Sequence, residues 1–384
     1  MRKLNIIYVI DSLKMGGAER LTASILRNLS DEFSPRVCVF KVKDGNPMAE
    51  QIEKLGVPVD LLPIPYLRDV TALPRLTRYL KQVKADLVHG QLEFGSMLGS
   101  IAAKWHRLPF VATLHTMSSQ KVPMKKKLHG ELEFFFLRHF CDTVISVSDE
   151  ARQFYLEISS LRPSQLVTIY NGVELSHFER RDPRKPYDEI RAQLGVPADA
   201  KFLTTVAVLR ELKGIQFMIR AMPKILEQLP NAYYLIVGGG KYKDELVREV
   251  ELAGVGSRVI FAGQRDDVAD FLNASDVFVL PTLTEALPTV LAEAMAARLP
   301  IIASAVGGIP EMITDGENGI LLPPADTEAL ADACLRLLSD EDAAKSMGDA
   351  GWSVANRKFN IRVQVEQLRE LYLKLIAASR RNPH

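Results

Sequence analysis

Two acidic residues with a fixed spacing carry the clearest chemical meaning in this sequence. Glu285 and Glu293 stand eight positions apart, and Pro288 lies between them where a first helical turn accepts proline. Eight helical residues rise about 12 Å, so two such carboxylates are too far apart to share a proton. They would instead accept hydroxyl groups at two ends of an elongated ligand, whose phosphate the helix N-terminus would bind. An amphipathic helix with a surface glutamate is the alternative.

Two cations follow the first strand of the second half of the chain. Arg210 and Lys213 lie in the segment Val208–Gly214. Cations are unfavourable at the N-terminus of a helix, so their position favours an anionic ligand such as a diphosphate. Lysine would act as a point charge and arginine as a planar fork. A solvated helix N-terminus is the alternative.

Glycine-rich turns follow several strands. Gly16 and Gly17 would let backbone N–H groups approach an anion, although a tight turn without a ligand fits them equally well. A similar turn occupies residues 306–308. The segment 237–240 resembles the start of a dinucleotide-binding fingerprint, but residues 241–243 lack its last glycine and no suitably spaced acidic residue follows. We therefore discount NAD as a ligand.

Two histidines follow or end strands in the first half of the chain. His115 is a better candidate for substrate contact than His89, although a lone histidine is more often structural. No cysteine and histidine cluster has zinc spacing. The acidic segments 266–267 and 340–342 are typical of helix starts. The sequence therefore predicts no metal site.

These residues lie in a chain that alternates strands and helices. The continuous apolar run Ile6–Ile10 predicts a strand buried on both faces, and the spacing of Leu21, Ile25 and Leu29 predicts a helix. The same alternation continues to the last helix, Val363–Ala378, and implies parallel, doubly wound sheets. Further strands are expected at Arg36–Phe40, Val59–Leu62, Leu87–His89, Phe110–Leu114, Thr143–Val147, Val167–Tyr170, Phe202–Ala207, Tyr234–Val237, Val259–Phe261, Val277–Leu280, Ile301–Ala303 and Gly319–Leu322.

The alternation is interrupted once, in the charged and proline-rich stretch Ser176–Lys201. A chain of 384 residues is long enough for two domains, and we place the boundary at the start of this stretch. In open α/β sheets, ligands bind outside the carboxyl ends of the strands. We therefore expect the chemistry in a cleft between two Rossmann-like domains.

Composition narrows the class of protein. The net charge of +1 gives no sign of nucleic-acid binding. Cys38, Cys141 and Cys334 are far apart, which is typical of reduced thiols in a cytoplasmic protein. The apolar run near the N-terminus is too short for a signal peptide, and no stretch approaches the roughly 20 residues of a membrane span.

With these residues laid out, the chain resembles the family-4 retaining glycosyltransferases, which have the GT-B fold. The resemblance extends over almost the whole chain and is strongest over Val259–Asp326. It implies two Rossmann-like, doubly wound parallel-sheet domains that face each other across a cleft. The segments in the family's order are Gly16-Gly17-Ala18-Glu19, Asn171-Gly172-Val173, Ala262-Gly263-Gln264, Glu285 with Glu293, Ala303–Gly308, Asp315–Gly319 and Leu322-Pro323-Pro324.

The resemblance also assigns domains and roles. Residues 1–175 would form the acceptor-side domain, 176–360 the nucleotide-sugar-binding domain, and 361–384 a helix that crosses back to the first domain. Glu293 would bind the ribose, Glu285 and His115 the donor sugar, and Lys213 the diphosphate. Glu285, His115 and Lys213 are thus the catalytic candidates. The donor-binding candidates are Gly16, Gly17, Arg210, Lys213, Gly239, Gln264, Ala286, Leu287, Pro288, Thr289 and Glu293.

The reaction implied is metal-independent, retaining transfer of a hexosyl group in polysaccharide biosynthesis, with no cofactor. A UDP-sugar or GDP-sugar would be the donor, and a glycan, a lipid-linked sugar or a small molecule the acceptor. Two alternatives stay open: a nucleotide-sugar-binding protein without transferase activity, and a GT-B-fold sugar epimerase. Val208 stands where the family often has arginine, and Arg210 lies two positions later. Ala286-Leu287-Pro288 replaces a more glycine-rich loop.

One segment of the first half combines cations with aromatic residues. Lys121, Lys125–Lys127 and Arg138 flank Phe134–Phe136. Such a segment is typical of peripheral contact with an anionic membrane, here the inner face. Alternatively, Leu128, Leu132 and Phe135 face the core and the lysines are solvated. The neighbouring loop, Met117–Lys127, is the expected source of acceptor specificity.

Overall fold

The chain forms two compact α/β units. The computed structural model describes residues 2–14, 16–42, 45–64, 69–115, 124–179 and 185–381, without the side chains of 124–129 and 185–188. Met1–Gly172 and Ile361–His384 belong to the first unit, and Val173–Asn360 form the second. The sequence-based boundary is residue 175.

The first unit contains a parallel sheet in the order β3-β2-β1-β4-β5-β6-β7. Its interior strand β1 has almost fully buried residues from Ile6 to Ile10, because helices cover both faces of the sheet. In the register between β1 and β4, Tyr8 lies beside His89. The strands are β1 (Leu4–Ile10), β2 (Phe33–Val39), β3 (Val59–Leu61), β4 (Leu87–Gln91), β5 (Phe110–Leu114), β6 (Thr143–Ser146) and β7 (Leu166–Thr168).

The second unit contains a parallel sheet in the order β10-β9-β8-β11-β12-β13. Its first strand in the chain, β8, lies between β9 and β11, so the strand order reverses direction beside β8. In such sheets the loops that leave the two central strands diverge and open a crevice at their carboxyl ends. The strands are β8 (Lys201–Val206), β9 (Ala232–Val237), β10 (Val259–Gly263), β11 (Val277–Leu280), β12 (Ile301–Ser304) and β13 (Ile320–Leu322).

Helices connect the strands and cover both sheets. Short 3₁₀ helices add to them at Leu175–His177, Glu211–Lys213 and Ile309–Glu311. The helices are α1 (Gly17–Asn28), α2 (Pro47–Glu53), α3 (Ala72–Gln82), α4 (Leu92–Trp105), α5 (Met124–Phe140), α6 (Asp149–Ser159), α7 (Lys185–Leu194), α8 (Ile215–Gln228), α9 (Lys243–Leu252), α10 (Val268–Asn273), α11 (Thr289–Ala296), α12 (Thr327–Ser339), α13 (Glu341–Lys358) and α14 (Ile361–Arg381).

The expected fold class, two doubly wound parallel α/β sheets, is confirmed. Each strand expected from an apolar run is present, with ends that differ by a few residues. The largest difference is in the charged stretch Ser176–Lys201, where α7 interrupts what the sequence suggested was irregular chain. Residues 180–184 of that stretch lie outside the described residues.

The last helix packs in the core of the first unit. Residues of α14 at helical spacing share an apolar cluster with Tyr8 and Ile10 of β1. Leu368 and Tyr372 are almost completely buried there. The chain therefore returns from the second unit to complete the core of the first. The buried residues of the helix are Ile361, Gln364, Val365, Leu368, Tyr372 and Ile376.

In the described ranges, no helix combines the length and the apolar character that crossing a bilayer requires. Cys38, Cys141 and Cys334 are free and buried. Burial raises the pKa of each of these thiols.

Candidate active site

An ion pair joins the ends of two neighbouring strands in the second unit. Lys213 ends the 3₁₀ helix that follows β8, and Glu285 lies in the loop that follows β11. The Nζ of Lys213 lies 2.5 Å from Oε1 of Glu285, and the two side chains are 26% and 12% exposed. Because β8 and β11 pair directly, their carboxyl ends bring these two catalytic candidates together across 72 residues of sequence.

Backbone contacts fix the two loops that carry this pair. The carbonyl oxygen of Leu212 accepts the hydroxyl of buried Thr282 at 3.0 Å and the backbone N–H of Leu283 at 2.8 Å. Both donors belong to the loop that precedes Glu285. The lysine loop is therefore bonded to the glutamate loop one residue before Lys213.

Two glycines allow these loops to pack without side chains between them. Gly214 has a φ of +67°, and a Cβ there would lie 1.8 Å from the carbonyl oxygen of Pro281. Gly307 has a φ of +53°, and a Cβ there would lie 1.7 Å from the carbonyl oxygen of Glu285. Both positions combine a left-handed backbone with a contact that excludes any side chain. Gly307 thus sets the position of the Glu285 backbone.

Helix α11 follows the loop of Glu285 and carries Glu293. Leu287 and Pro288 are buried, and Pro288 precedes the first helical residue, Thr289. No side chain caps the N-terminus of this helix. Glu293 is half-buried, on a helix whose apolar residues, including Leu291, face the core. The arrangement places the start of α11 directly after the Glu285 loop, as the spacing predicted.

The remaining donor-binding candidates of the second unit lie in adjoining loops. The N–H of Leu209 donates to the carbonyl of Gly239 at 3.0 Å, which joins the loop of exposed Arg210 to the loop after β9. A Cβ on Gly239 would lie 3.8 Å from the Cβ of exposed Gln264. The structure therefore groups Arg210, Gly239 and Gln264 at the same sheet edge as the ion pair.

Two further candidates lie at the start of α1 in the first unit. Gly16 precedes the helix and Gly17 begins it, and no side chain caps this N-terminus. Glu19 is 3% exposed, and its carboxylate would be 2.2 Å from a Cβ on Gly16. No atom lies within 4 Å of a Cβ on Gly17. A side chain at Gly16 would therefore require the Glu19 carboxylate to move, whereas Gly17 faces open space.

His115 follows β5 in the first unit and is hydrogen-bonded to Gln91. Its Nε2 lies 2.6 Å from Oε1 of Gln91, the last residue of β4. Burial lowers the pKa of His115 to about 4, so the ring is neutral at physiological pH. His89, two residues before Gln91, is completely buried, and burial lowers its pKa to about 3. His89 is therefore held inside the fold, whereas His115 stands at the strand end.

Sequence reasoning missed the partners of these histidines. Tyr372 of α14 lies 2.5 Å from Nδ1 of His89, and Thr113 lies 2.7 Å from its Nε2. The available signal was the placement of polar residues at alternate positions near two strand ends. Residues 89 and 91 lie in β4, residue 113 lies in β5, and residue 115 directly follows β5. Alternate residues of a strand share a face, so these four belong together.

Comparisons with known proteins assign the chain to a family. Residues 186–353 match the model for glycosyl transferases group 1, and residues 15–177 match that for glycosyltransferase family 4. An uncharacterized glycosyltransferase of Methanocaldococcus jannaschii is 31% identical over 264 residues, which are 67% of each chain. N-acetyl-alpha-D-glucosaminyl L-malate synthase of Bacillus anthracis is 27% identical over 312 residues, which are 80% of each chain.

A solved structure shares the fold. HepE of Anabaena, in complex with UDP, superposes with a TM-score of 0.86 at 22% identity, over 97% of this chain and 100% of that one. The chain therefore belongs to the glycosyltransferases described by the family 4 and group 1 models, and it has the GT-B fold. It is a glycosyltransferase, as the resemblance implied.

A substitution at Gly307 tests the packing behind Glu285. In Gly307→Ala the new methyl group must displace the Glu285 backbone, so we expect sugar transfer to fall about tenfold or more. Gly316→Ala is the matched control, because Gly316 also has a positive φ of +78° but has no atom within 4 Å of its Cβ position. Initial rates and thermal unfolding should be measured for both. Equal activity losses would show that backbone strain, rather than displacement of Glu285, is responsible.

Proposed function

We propose that this glycosyltransferase moves a hexosyl group from a UDP-sugar or GDP-sugar to a glycan, lipid-linked or small-molecule acceptor, with retention and without a metal. The observation that carries the proposal is the Lys213–Glu285 pair beside the uncapped start of α11. Relatives support the substrate class. UDP-Gal:alpha-D-GlcNAc-diphosphoundecaprenol alpha-1,3-galactosyltransferase of Escherichia coli is 26% identical over 346 residues, 87% of this chain and 88% of that one.

The ion pair has a separate task for each partner when a donor binds. Lys213 would neutralise the diphosphate, and Glu285 would accept a hydroxyl of the hexose. In the structure the two side chains satisfy each other, which limits the cost of keeping both charges partly buried. Donor binding would replace this one contact with two, each to a group of complementary chemistry.

The charge that develops on the diphosphate during transfer accounts for the proposed role of Lys213. The bond between the anomeric carbon and the phosphate oxygen breaks, and the diphosphate leaves with the electron pair. The acceptor oxygen bonds to the anomeric carbon on the same face, and its proton passes to the departing phosphate oxygen. Negative charge on the diphosphate grows in the transition state, so a cation at Lys213 stabilises that state most. Arg210 would add a second positive charge, which removes the need for a metal ion.

The start of α11 would contribute neutral donors. Backbone N–H groups near Leu287 and Thr289 would bind the phosphate, assisted by the helix dipole. Glu293, one turn further, would accept the ribose hydroxyls. Gly239 and Gln264 would contact the nucleotide from the adjoining loops, with Ala286 and Pro288 shaping the turn. In the first unit, Gly16 and Gly17 would approach the phosphate, and His115 the hexose.

Two substitutions separate ground-state binding from turnover. A lost ribose contact weakens substrate and transition state equally, so Glu293→Ala should weaken nucleotide diphosphate binding by about tenfold and change kcat little. Lys213→Ala should lower kcat by about 100-fold or more, with a smaller loss of affinity. Lys104→Ala, an exposed lysine on α4 of the first unit, is the control for a lost positive charge. Steady-state kinetics and calorimetric titration give both quantities. Equal affinity losses with unchanged kcat would contradict the division of roles.

The stereochemical outcome and the metal requirement can be tested in one reaction. Inversion needs a general base behind the anomeric carbon, whereas retention lets the departing diphosphate take the acceptor's proton. We therefore expect an α-linked donor to give an α-linked product in excess EDTA, as seen by NMR of the isolated product. A β-linked product would remove the retaining assignment, and activity restored only by magnesium would remove the metal-independent one. A donor whose sugar is altered in the absence of an acceptor would indicate an epimerase. A donor that binds but gives no product would indicate a nucleotide-sugar-binding protein without transferase activity.

We also propose that the first unit contacts the inner face of an anionic membrane. On α5, Leu132 is 40% and Phe135 is 47% exposed. The alternative required both side chains to face the core, and this exposure favours the membrane contact instead. Lys121 and the side chains of Lys125–Lys127 lie outside the described residues, but their charges adjoin this aromatic surface in sequence. Arg138 itself donates to the carbonyl of Ser159 and serves the fold.

Flotation with anionic liposomes tests this contact. We expect binding at low salt that decreases as salt rises, because part of the attraction is electrostatic. Phe135→Ser should reduce binding about fivefold, since an inserted aromatic ring contributes buried apolar area. Leu252→Ser is the matched control, because Leu252 is 84% exposed in the second unit. No flotation of the unmodified protein at low salt would refute the proposal.

A further inference from the structure

A continuous chain of hydrogen bonds runs from the C-terminal helix to His115. The hydroxyl of Tyr372 lies 2.9 Å from that of Tyr8 and 2.5 Å from Nδ1 of His89. On the other side of the ring, Nε2 of His89 lies 3.1 Å from Nε2 of Gln91. Oε1 of Gln91 then contacts Nε2 of His115 at 2.6 Å. Gln91 is therefore hydrogen-bonded to both histidines and links their rings.

Gln91 couples the protonation states of the two rings. Its amide nitrogen can only donate and its oxygen can only accept. With the oxygen toward His115, Nε2 of His115 carries the proton, and Nε2 of His89 accepts from the amide. His89 then holds its proton on Nδ1 and donates it to Tyr372. Turning the amide by 180° would reverse each of these assignments together.

The distances in the structure select one of the two orientations of the Gln91 amide. The contact to His115 is shorter, 2.6 Å, as expected for an N–H donor and an oxygen acceptor, and the nitrogen–nitrogen contact to His89 is longer, 3.1 Å. The hydroxyl of Thr113 lies 2.7 Å from Nε2 of His89, and in this arrangement it and the Gln91 amide share the single lone pair of that nitrogen as two donors. Tyr372 accepts from Nδ1 of His89 and can donate to Tyr8. Each of these groups then has a role consistent with its chemistry.

Burial gives this arrangement its rigidity. Tyr8, His89 and Tyr372 are completely buried, and Gln91 is 2% exposed. An unsatisfied polar group at such a place costs about 1–3 kcal/mol, so a change at one member disfavours the whole arrangement. Burial also keeps both histidine rings neutral by lowering their pKa values, and the nearness of His115 lowers the pKa of His89 further because two charged rings would repel each other.

We propose that Gln91 is a positioning residue for sugar transfer, which, supported by His89 and Tyr372, fixes His115 as the neutral tautomer with its proton on Nε2. Nδ1 of His115 is then a hydrogen-bond acceptor and can receive a hydroxyl group of the donor hexose. The role for the hexose rests on the proposed function, whereas the tautomer is a property of the protein alone. The C-terminal helix thereby supports a residue of the active site through Tyr372.

Nitrogen-15 NMR of the full-length protein without substrate tests the tautomer. Two-bond proton–nitrogen spectra distinguish a protonated ring nitrogen from an unprotonated one for each of the 7 histidines. We expect the proton on Nε2 in His115 and on Nδ1 in His89 between pH 8 and 6. The variants His115→Asn and His89→Asn assign the signals. The opposite tautomer at His115 would overturn the proposal.

Two substitutions test the coupling. In Gln91→Glu a carboxylate faces both rings and can only accept, so His89 should move its proton to Nε2 or become charged, and the pKa of His115 should rise. The acid limb of the kcat profile should move to higher pH by about one unit or more, because a neutral His115 is required. In Tyr372→Phe the N–H of His89 loses its acceptor, and His115 should show a mixture of tautomers.

A matched control separates these effects from a loss of stability. Tyr234→Phe removes an equally buried tyrosine hydroxyl, which donates to Thr205 at 2.8 Å in the second unit. Tyr372→Phe should lower kcat about fivefold to tenfold with unchanged nucleotide affinity, whereas Tyr234→Phe should change neither kcat nor the His115 spectrum. Unchanged His115 spectra in both Gln91→Glu and Tyr372→Phe would overturn the coupling. Even if Tyr372→Phe does not fold, Gln91→Glu decides the question.

The proposed function and the positioning role of Gln91 are refuted by different results. A protein that transfers no sugar from any donor would refute the proposed function, and the tautomer spectra would still test the coupling. If His115→Ala turns over as fast as the unmodified protein, Gln91 does not act on transfer through His115, and the positioning role is overturned even where the spectra behave as expected.

Discussion

A parallel sheet covered on both faces leaves few places for polar side chains. Its interior must be apolar, or any polar group within it must bond to another polar group. The carboxyl ends of the strands are the exception, because there the chain leaves the sheet and its backbone groups become available. Both units of this glycosyltransferase obey the same constraint. Lys213 and Glu285 meet at the ends of β8 and β11, and His115 follows the end of β5.

The first unit shows what happens when polar residues enter the sheet itself. Tyr8 and His89 lie side by side in β1 and β4, where the adjacent positions of the two strands are filled by isoleucine, valine and glycine. Their burial is compatible with stability because Tyr372 and Thr113 complete their hydrogen bonds. The helix that supplies Tyr372 is the last of the chain. The contacts of Tyr372 therefore serve two purposes. They complete the core of the first unit, and through His89 and Gln91 they help to place His115.

The sequence predicts the architecture well because the apolar runs are strong local signals. It predicts strand ends less well: β2 begins at Phe33, since the pairing of Pro35 with Ile6 continues the ladder through residues that are not apolar. It identifies Glu285 and Lys213 separately, but their contact joins positions 72 residues apart and depends on the strand order. Tyr372 and His89 are 283 residues apart, and no local pattern predicts that pairing.

The burial of all three cysteines has a practical consequence for spectroscopy. Cys38, Cys141 and Cys334 lie inside the two cores, and their raised pKa values keep the thiols protonated and unreactive. A cysteine introduced on the surface would then be the one that a maleimide dye modifies, without prior removal of the native residues. Replacing Trp105, which is 75% exposed at the end of α4, would give a single fluorescent label on otherwise unaltered protein.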